Sequence, residues 1–246
     1  MKRTPPSAQI ESGRLPTHVA MIMDGNGRWA AARGKARIEG HRAGVDSILR
    51  VVDGCREAGI GYLTLYAFST ENWRRSAREV SGLMRLMGLM LRTKVGLLRK
   101  RNVRLRVVGR RTDLSAALQR SIAAAERDTA DGTGLQLILA ISYGGRAEIA
   151  EAARRFACDV RDGKAEAEAL SDDAFRRYLY APDVPDPDLV IRTSGEFRLS
   201  NFLLWQCAYA ELWVTPVLWP DFSKADLQAA LSAYAARDRR MGGRSA

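Results

Sequence analysis

Apolar side chains recur along this chain in two periods. Six short, nearly continuous apolar runs lie at His18 to Met23, Gly61 to Phe68, Val103 to Val108, Leu135 to Ile141, Leu189 to Arg192 and Leu212 to Thr215. Runs of that length, rich in β-branched residues, predict strands buried on both faces. Between them the spacing changes to that of helices, as in Val45, Ile48, Val52 and Cys55, in Leu114, Leu118 and Ile122, and in Ile149, Ala153, Phe156 and Val160. Ser223 followed by Asp226 has the form of a capping box and predicts a last helix through Leu227, Leu231 and Tyr234. The alternation predicts a single α/β domain, with a central, mostly parallel six-stranded sheet flanked by helices on both faces. Ala181 to Asp188, with three prolines and three aspartates, is a loop within that domain.

The longest helical pattern runs from Ala77 to Arg101. Val80, Leu83, Met84, Met87, Met90, Leu91, Val95 and Leu98 form one wide stripe, and Leu86, Leu89 and Leu97 spill beyond it. One contact with a sheet does not require so wide a stripe. Two readings follow: a deeply buried core helix, or one wall of a hydrocarbon tunnel. From Arg92 to Arg111 there are nine basic and no acidic residues, the signature of a solvated or anion-facing surface.

At 246 residues and 46% hydrophobic, the chain is long enough to bury one substantial core. The formal net charge of +11 comes mainly from arginine and implies an anionic partner. Nucleic acid, an anionic membrane surface and a diphosphate metabolite all meet that description, and charge alone ranks nucleic acid first. Cys55, Cys158 and Cys207 are scattered and odd in number, which argues against a disulfide framework and for a reducing cytoplasm. Residues 1–17 are expected to form a flexible N-terminal segment ahead of a catalytic domain over 18–246. That segment carries Lys2, Arg3 and Arg14 but no apolar core, so it does not read as a signal peptide. No apolar run approaches the ~18 residues of a membrane span. The expectation is a soluble, cytoplasmic protein whose membrane contact, if it has any, is peripheral.

Ligands of open parallel sheets sit beyond the carboxyl ends of the strands. There the sequence turns polar and glycine-rich: Asp24-Gly25-Asn26-Gly27-Arg28-Trp29, then Ser69-Thr70-Glu71-Asn72-Trp73-Arg74-Arg75, Ser142-Tyr143-Gly144-Gly145-Arg146, and Arg192 through Asn201. Gly25 and Gly27 free a loop to present backbone N–H groups to phosphate oxygens. The loop is neither a P-loop nor a dinucleotide fingerprint. Asp24 is placed either to hold Mg²⁺ against a diphosphate or to cap the next helix. Arg192, Arg198 and Ser200 put two guanidinium forks and a hydroxyl in one loop, suited to bidentate phosphate capture. Arg28, Arg37 and Arg75 are candidates to face the same edge, against the alternative of solvated surface charges. His41, just before a helix, reads as a cap or a packed side chain, and His18 as structural. Trp29 and Trp73 suit either the mouth of an apolar pocket or the core. Glu211 follows an apolar helix expected over Phe202 to Tyr209 and is either a second metal carboxylate or a helix-end charge.

Taken in order, H-V-A-M-I-M-D-G-N-G-R-W, G-H-R-A-G, T-L-Y-A-F-S-T-E-N-W, S-Y-G-G-R, I-R-T-S-G-E-F-R-L-S-N-F-L-L-W-Q and Y-A-E-L resemble the cis-prenyltransferases, undecaprenyl diphosphate synthases in particular, from His18 to Gly243. The resemblance implies a fold that encloses a hydrophobic tunnel and a Mg²⁺-dependent condensation of isopentenyl diphosphate with an allylic diphosphate, without a nucleic-acid partner. It implies that Asp24 is the catalytic, Mg²⁺-binding carboxylate and that Glu211 is the second metal ligand. Gly25, Asn26, Gly27, Arg28 and Arg37 are implied to bind the allylic diphosphate, and Trp29, His41, Ser69, Thr70, Glu71, Trp73 and Arg75 to shape the reacting site. Arg192, Arg198, Leu199 and Ser200 match the isopentenyl diphosphate site. Asn72 matches the proton-accepting position, although an amide is a weak base and the departing diphosphate a better acceptor. Arg240-Met241-Gly242 matches a C-terminal R-x-G that implies a homodimer, and Leu135 a length-limiting floor. Ser76 stands where many relatives have proline, and Ile141-Ser142 replaces a more polar pair. There is no D-D-x-x-D, which argues against the all-helical prenyl synthases: Asp172-Asp173 is followed by Ala-Phe-Arg.

Overall fold

The computed structural model describes residues 15–237. Six strands, β1 (His18–Ile22), β2 (Tyr62–Ser69), β3 (Arg104–Val108), β4 (Gln136–Tyr143), β5 (Leu189–Arg192) and β6 (Glu211–Val214), form one sheet in the order β3-β4-β2-β1-β5-β6. Every neighbouring pair is parallel, so the sheet is wholly rather than mostly parallel. Helices are α1 (Asn26–Ala31), α2 (Arg37–Glu57), α3 (Ala77–Lys100), α4 (Ala116–Asp128), α5 (Gly145–Arg161), α6 (Asp172–Arg176) and α7 (Lys224–Ala235).

The pleat sorts the core. Val19, Met21, Leu63, Leu65, Leu137, Leu189 and Ile191 pack on one face with α2, α3, α4 and α7, while Ala20, Ile22, Ile138, Ala140 and Val190 point to the other with Phe202 and Leu203. All nine residues of β1 and β5 are buried, which is why they read as continuous apolar runs. The final helix starts where its capping box predicts: the Ser223 side chain accepts from Asp226 N–H, and Asp226 accepts in return from Ser223 N–H at 2.8 Å. Ser76, the departure from proline, caps α3 by accepting from Glu79 N–H.

Two expectations are corrected. Residues 202–209 are a series of turns, not a helix, because Ser200, Asn201 and Leu203 take positive φ of 51°, 64° and 44°, and burial in the second core accounts for their apolar character. His41 lies inside α2, which begins at Arg37 because the Glu39 carboxylate accepts from Ala36 N–H at 3.0 Å. Thr17 N–H donates to Asp188, and its carbonyl accepts from Gly61 and Tyr62. The rest of the N-terminal segment, residues 1–14, and the R-x-G at 240–242 lie outside the described residues.

His18 is structural in the sense the sequence suggests. Its Nδ1 donates to the Pro185 carbonyl at 2.7 Å, leaving Nε2 to accept from the Thr64 hydroxyl at 2.8 Å. Burial lowers its pKa to about 4, against the opposing pulls of the Pro185 carbonyl and Asp188. The unfolded chain takes up this proton near pH 6.5, so stability present above that value is lost as pH falls towards 4. Urea unfolding from pH 7 to 4 is expected to show wild type losing roughly 3 kcal/mol more than His18→Gln over the same range. Equal losses in the two proteins would remove His18 as the source.

Candidate active site

Asp24 follows β1 at the centre of the sheet's carboxyl edge. Its backbone N–H donates to Thr193 Oγ1 at 2.9 Å, and its carbonyl accepts from the Thr193 hydroxyl at 2.7 Å and from Trp219 N–H at 3.0 Å. Gly25 turns the chain with φ of 103°, and its N–H donates to Asp24 Oδ1 at 2.7 Å. At Gly40 in α2, a Cβ would stand 2.0 Å from the Asn26 carbonyl oxygen, so only glycine lets α2 approach this loop so closely.

Arg192, 3% exposed at the end of β5, donates from Nη2 to Asp24 Oδ2 at 2.9 Å and from Nη1 to Ser200 Oγ at 2.8 Å and to the Arg198 carbonyl. Arg28 lies 3.6 Å from the other Asp24 oxygen and is held by the Ser194 carbonyl and hydroxyl. Burial pushes the Asp24 carboxyl up, but the Arg192 hydrogen bond, the Gly25 N–H and both guanidinium charges outweigh it and hold the pKa below its ordinary value. It is an anion at neutral pH. Glu71 follows the same logic: burial raises its pKa, and the Asn201 amide at 2.7 Å with other local hydrogen bonds lowers it further. His41 is brought down to about 4 by burial and then by the charge of Arg75, so it is neutral.

Two connected hollows meet here. A polar one of about 130 Å³ is lined by Asp24 to Arg28 with Arg37, His41 and Arg75, so these residues do converge. A cleft of about 580 Å³ takes in Asp24, Asn26, His41, Ser69, Glu71, Asn72, Arg75, Arg192 and Ser200 at one end, and Leu83, Leu86, Met87 and Met90 of α3 at the other. Beyond it an apolar cavity of about 70 Å³ shares Ile48, Ala67, Met87 and Met90 with the cleft and ends among Leu98, Leu105 and Leu137. Leu135, expected as the floor, is not among the lining residues. It is packed in the core one alternate position earlier on the chain.

Other expected site residues stand back from the cleft. Trp29 Nε1 donates to Asp221 at 2.7 Å, and its ring carries Arg33 at 4.2 Å. Trp73 donates to Ser142 Oγ at 2.8 Å, and that hydroxyl donates to Asp113 at 2.6 Å, so Ser142 ties the segment after β2 to the sheet. Thr70 opens the short 3₁₀ turn Thr70–Arg74 in that segment. Asn72, which does line the cleft, spends its side-chain oxygen on Ser69 N–H at 3.1 Å. Arg198 is exposed and paired with Glu196 at 2.6 Å, and Leu199 packs on the second core. Glu211 begins β6, at the opposite end of the sheet from Asp24, and pairs with Arg237. The two carboxylates therefore do not meet within one chain. Thr193, Asn201 and Trp219, which hold the Asp24 loop, Glu71 and α2, were not singled out from sequence. Their place as polar residues inside an identified motif was the available signal for the first two.

The family profile "Putative undecaprenyl diphosphate synthase" matches residues 22–242. The chain belongs to this family. An isoprenyl transferase of Heliobacterium mobile is 50% identical over 237 residues, covering 96% of this chain and 91% of that one. Another, of Thermotoga maritima, is 49% identical over 230 residues, 94% and 98% of the two chains. Among solved structures, lavandulyl diphosphate synthase from Lavandula x intermedia, in complex with dimethylallyl diphosphate, superposes with a TM-score of 0.91 at 39% identity, covering 94% of this chain and 99% of that one. A probable undecaprenyl diphosphate synthase from Campylobacter jejuni gives 0.78 at 34% identity, covering 92% and 98%. As a member of the family, the chain is an enzyme that transfers prenyl groups, a cis-prenyltransferase in fold and activity.

Proposed function

We propose that this prenyltransferase condenses isopentenyl diphosphate with an allylic diphosphate, farnesyl diphosphate for choice, to make a long-chain polyprenyl diphosphate of the undecaprenyl class. The supporting observation is the continuity of the cleft: arginines and a glycine loop at one end, and an apolar cavity running beneath α3 at the other. A diphosphate and a growing hydrocarbon need those two environments in that order. The likeness to lavandulyl diphosphate synthase favours a shorter product as the second reading.

In this reading Arg28, Arg37, Arg75 and the backbone around Gly25 to Gly27 hold the allylic diphosphate as its carbon–oxygen bond ionises, stabilising the charge that develops on the leaving group. Arg192, Arg198 and Ser200 hold isopentenyl diphosphate, whose double bond attacks the allylic cation. The new cation then loses a proton to the departing diphosphate, giving a cis double bond. Juxtaposing the two substrates lowers the remaining barrier.

Among the described residues no cluster of three or more His, Cys, Asp or Glu side chains could cage a metal. An ionised, partly exposed Asp24 facing the polar hollow fits Mg²⁺ bound through one carboxylate, substrate phosphate oxygens and water. There Mg²⁺ would neutralise diphosphate charge. Glu211 is proposed as a second ligand only through a homodimer that brings it to an active-site edge. Cytoplasmic location and peripheral membrane contact belong to the same proposal, and no described helix is long and apolar enough to cross a membrane.

Incubating the protein with farnesyl diphosphate, labelled isopentenyl diphosphate and Mg²⁺, and sizing the products, tests the reading. No incorporation with any allylic diphosphate would overturn it. Leu137→Ala is expected to lengthen the products and Leu83→Trp to shorten them, each with little change in the first addition. Unchanged distributions in both would remove the cavity from length control.

A further inference from the structure

The outer face of α3 carries Arg78, Arg85, Arg92 and Arg99, one every seven residues and all exposed. At about 1.5 Å per residue they stand roughly 10.5 Å apart along some 31 Å of helix, drifting only about 20° per step. None of the four has an ion-pair partner among the described residues. The helix's single acidic residue, Glu79, is taken by Arg75 at 2.9 Å and Arg37 at 3.4 Å. Leu89, 50% exposed, sits between the second and third arginines of the row.

The opposite face of the same helix walls the apolar cavity through Met87, Met90, Leu91 and Leu98. One helix thus separates the hydrocarbon space from the arginine row. Between α2 and α3 an open groove of about 740 Å³ carries Arg42, Arg78 and Arg85 with Ile38 and Leu89, and shares His41 and Leu86 with the cleft. The cleft and the groove therefore adjoin across these two side chains.

We propose that this face of α3 docks on an anionic phospholipid bilayer, with the arginines at the headgroups, Leu89 directed at the interface and the α2/α3 groove opening towards the lipid. Unpaired arginines in register along one helix match a plane of negative headgroups, and attraction of this kind adds with each basic residue near the surface. A single exposed leucine adds little apolar burial, so contact is electrostatic and reversible. A polyprenyl chain leaving by the groove would pass into lipid without crossing water. That last step rests on the proposed function, and docking gives a surface to the peripheral membrane contact named there without depending on the condensation chemistry.

The test is therefore made without substrates. Sedimentation with phosphatidylglycerol/phosphatidylcholine vesicles at low salt is expected to capture the wild-type protein, and phosphatidylcholine vesicles are expected to leave it in solution. Reversing the row with Arg78→Glu, Arg85→Glu, Arg92→Glu and Arg99→Glu should weaken partition more than a hundredfold, and Arg85→Gln with Arg92→Gln, a milder change to the fold, about thirtyfold. Reversing four exposed arginines elsewhere, at positions 104, 120, 127 and 154, makes the same change in net charge and should cost under tenfold. Equal weakening by the two fourfold reversals would show a response to net charge alone and overturn the docking face. So would absence of wild-type binding to anionic vesicles, or row-dependent binding to single-stranded RNA in its place. Condensation rates in detergent, measured separately, report on the proposed function whichever way the vesicles answer.

Discussion

Asp24→Ala is expected to lower kcat by a thousandfold or more while the protein still unfolds cooperatively. Removing one preorganised group that stabilises transition-state charge costs about a hundred- to a thousandfold, and here the same carboxylate is also the proposed metal ligand. The fold should tolerate the change because Asp24 lies beyond the end of β1, with its side chain partly exposed. The cost falls on Arg192, which loses one partner but keeps the Ser200 hydroxyl and the Arg198 carbonyl. Asp24→Asn, which keeps an acceptor for Arg192, should recover stability without recovering turnover. Wild-type rates for either variant at saturating Mg²⁺ would refute the assignment.

Arg192→Ala and Arg198→Ala are expected to differ sharply, although both residues lie in one motif and look equivalent in the sequence. Arg192 is buried and holds Asp24, Ser200 and the backbone of residue 198 together. Its removal leaves a half-buried carboxylate without its main counter-charge, and breaking a buried pair in this way typically costs about 3–5 kcal/mol. Turnover should fall by about a hundredfold or more, with kcat affected and KM raised for both substrates. Arg198 is solvent-facing and, among the described residues, its side chain is paired only with Glu196. Its loss should appear as about a tenfold rise in KM for isopentenyl diphosphate with kcat unchanged. Steady-state kinetics with each substrate varied in turn separates the two patterns, and matching profiles would show that burial does not set the roles. Arg192→Lys should rescue little, because an ammonium cannot span the three partners of a fork.

The central strands were legible because a parallel sheet buried on both faces needs apolar residues at every position, whereas the edge strands β3 and β6 are partly exposed and not buried on both faces as expected. The α3 stripe was legible for the same reason: it serves both the core and the cavity, while of the residues that spill beyond it Leu86 reaches the cleft and Leu89 the outer groove. The polar edge was readable as a set of motifs, but not as a set of distances. Trp29 lies in the same motif as Asp24 and Glu211 in another, yet each turns to a partner away from the cleft, Asp221 in one case and Arg237 in the other. The turns at 202–209 resisted reading because burial makes a segment apolar whatever its backbone does. Thr193 and Trp219 act through their own or Asp24's backbone groups, contacts that leave almost no pattern in sequence.

The clamp around Asp24 also sets an order of events during synthesis. Asp24 leaves the ribosome early, but its partners Arg192 and Thr193 follow 168 and 169 residues later, and Trp219 later still. β1, β2 and β4 can pair while the chain is incomplete, whereas β5 must wait to dock on the open side of β1. Contacts so distant along the chain form only after a large loop-closure cost has been met, which makes them late and slow. A nascent chain that stops short of Arg192 would hold β1 beside β2 without the counter-charge and the hydroxyl that fix Asp24, and one that stops short of Trp219 would still lack the N–H that the Asp24 carbonyl takes.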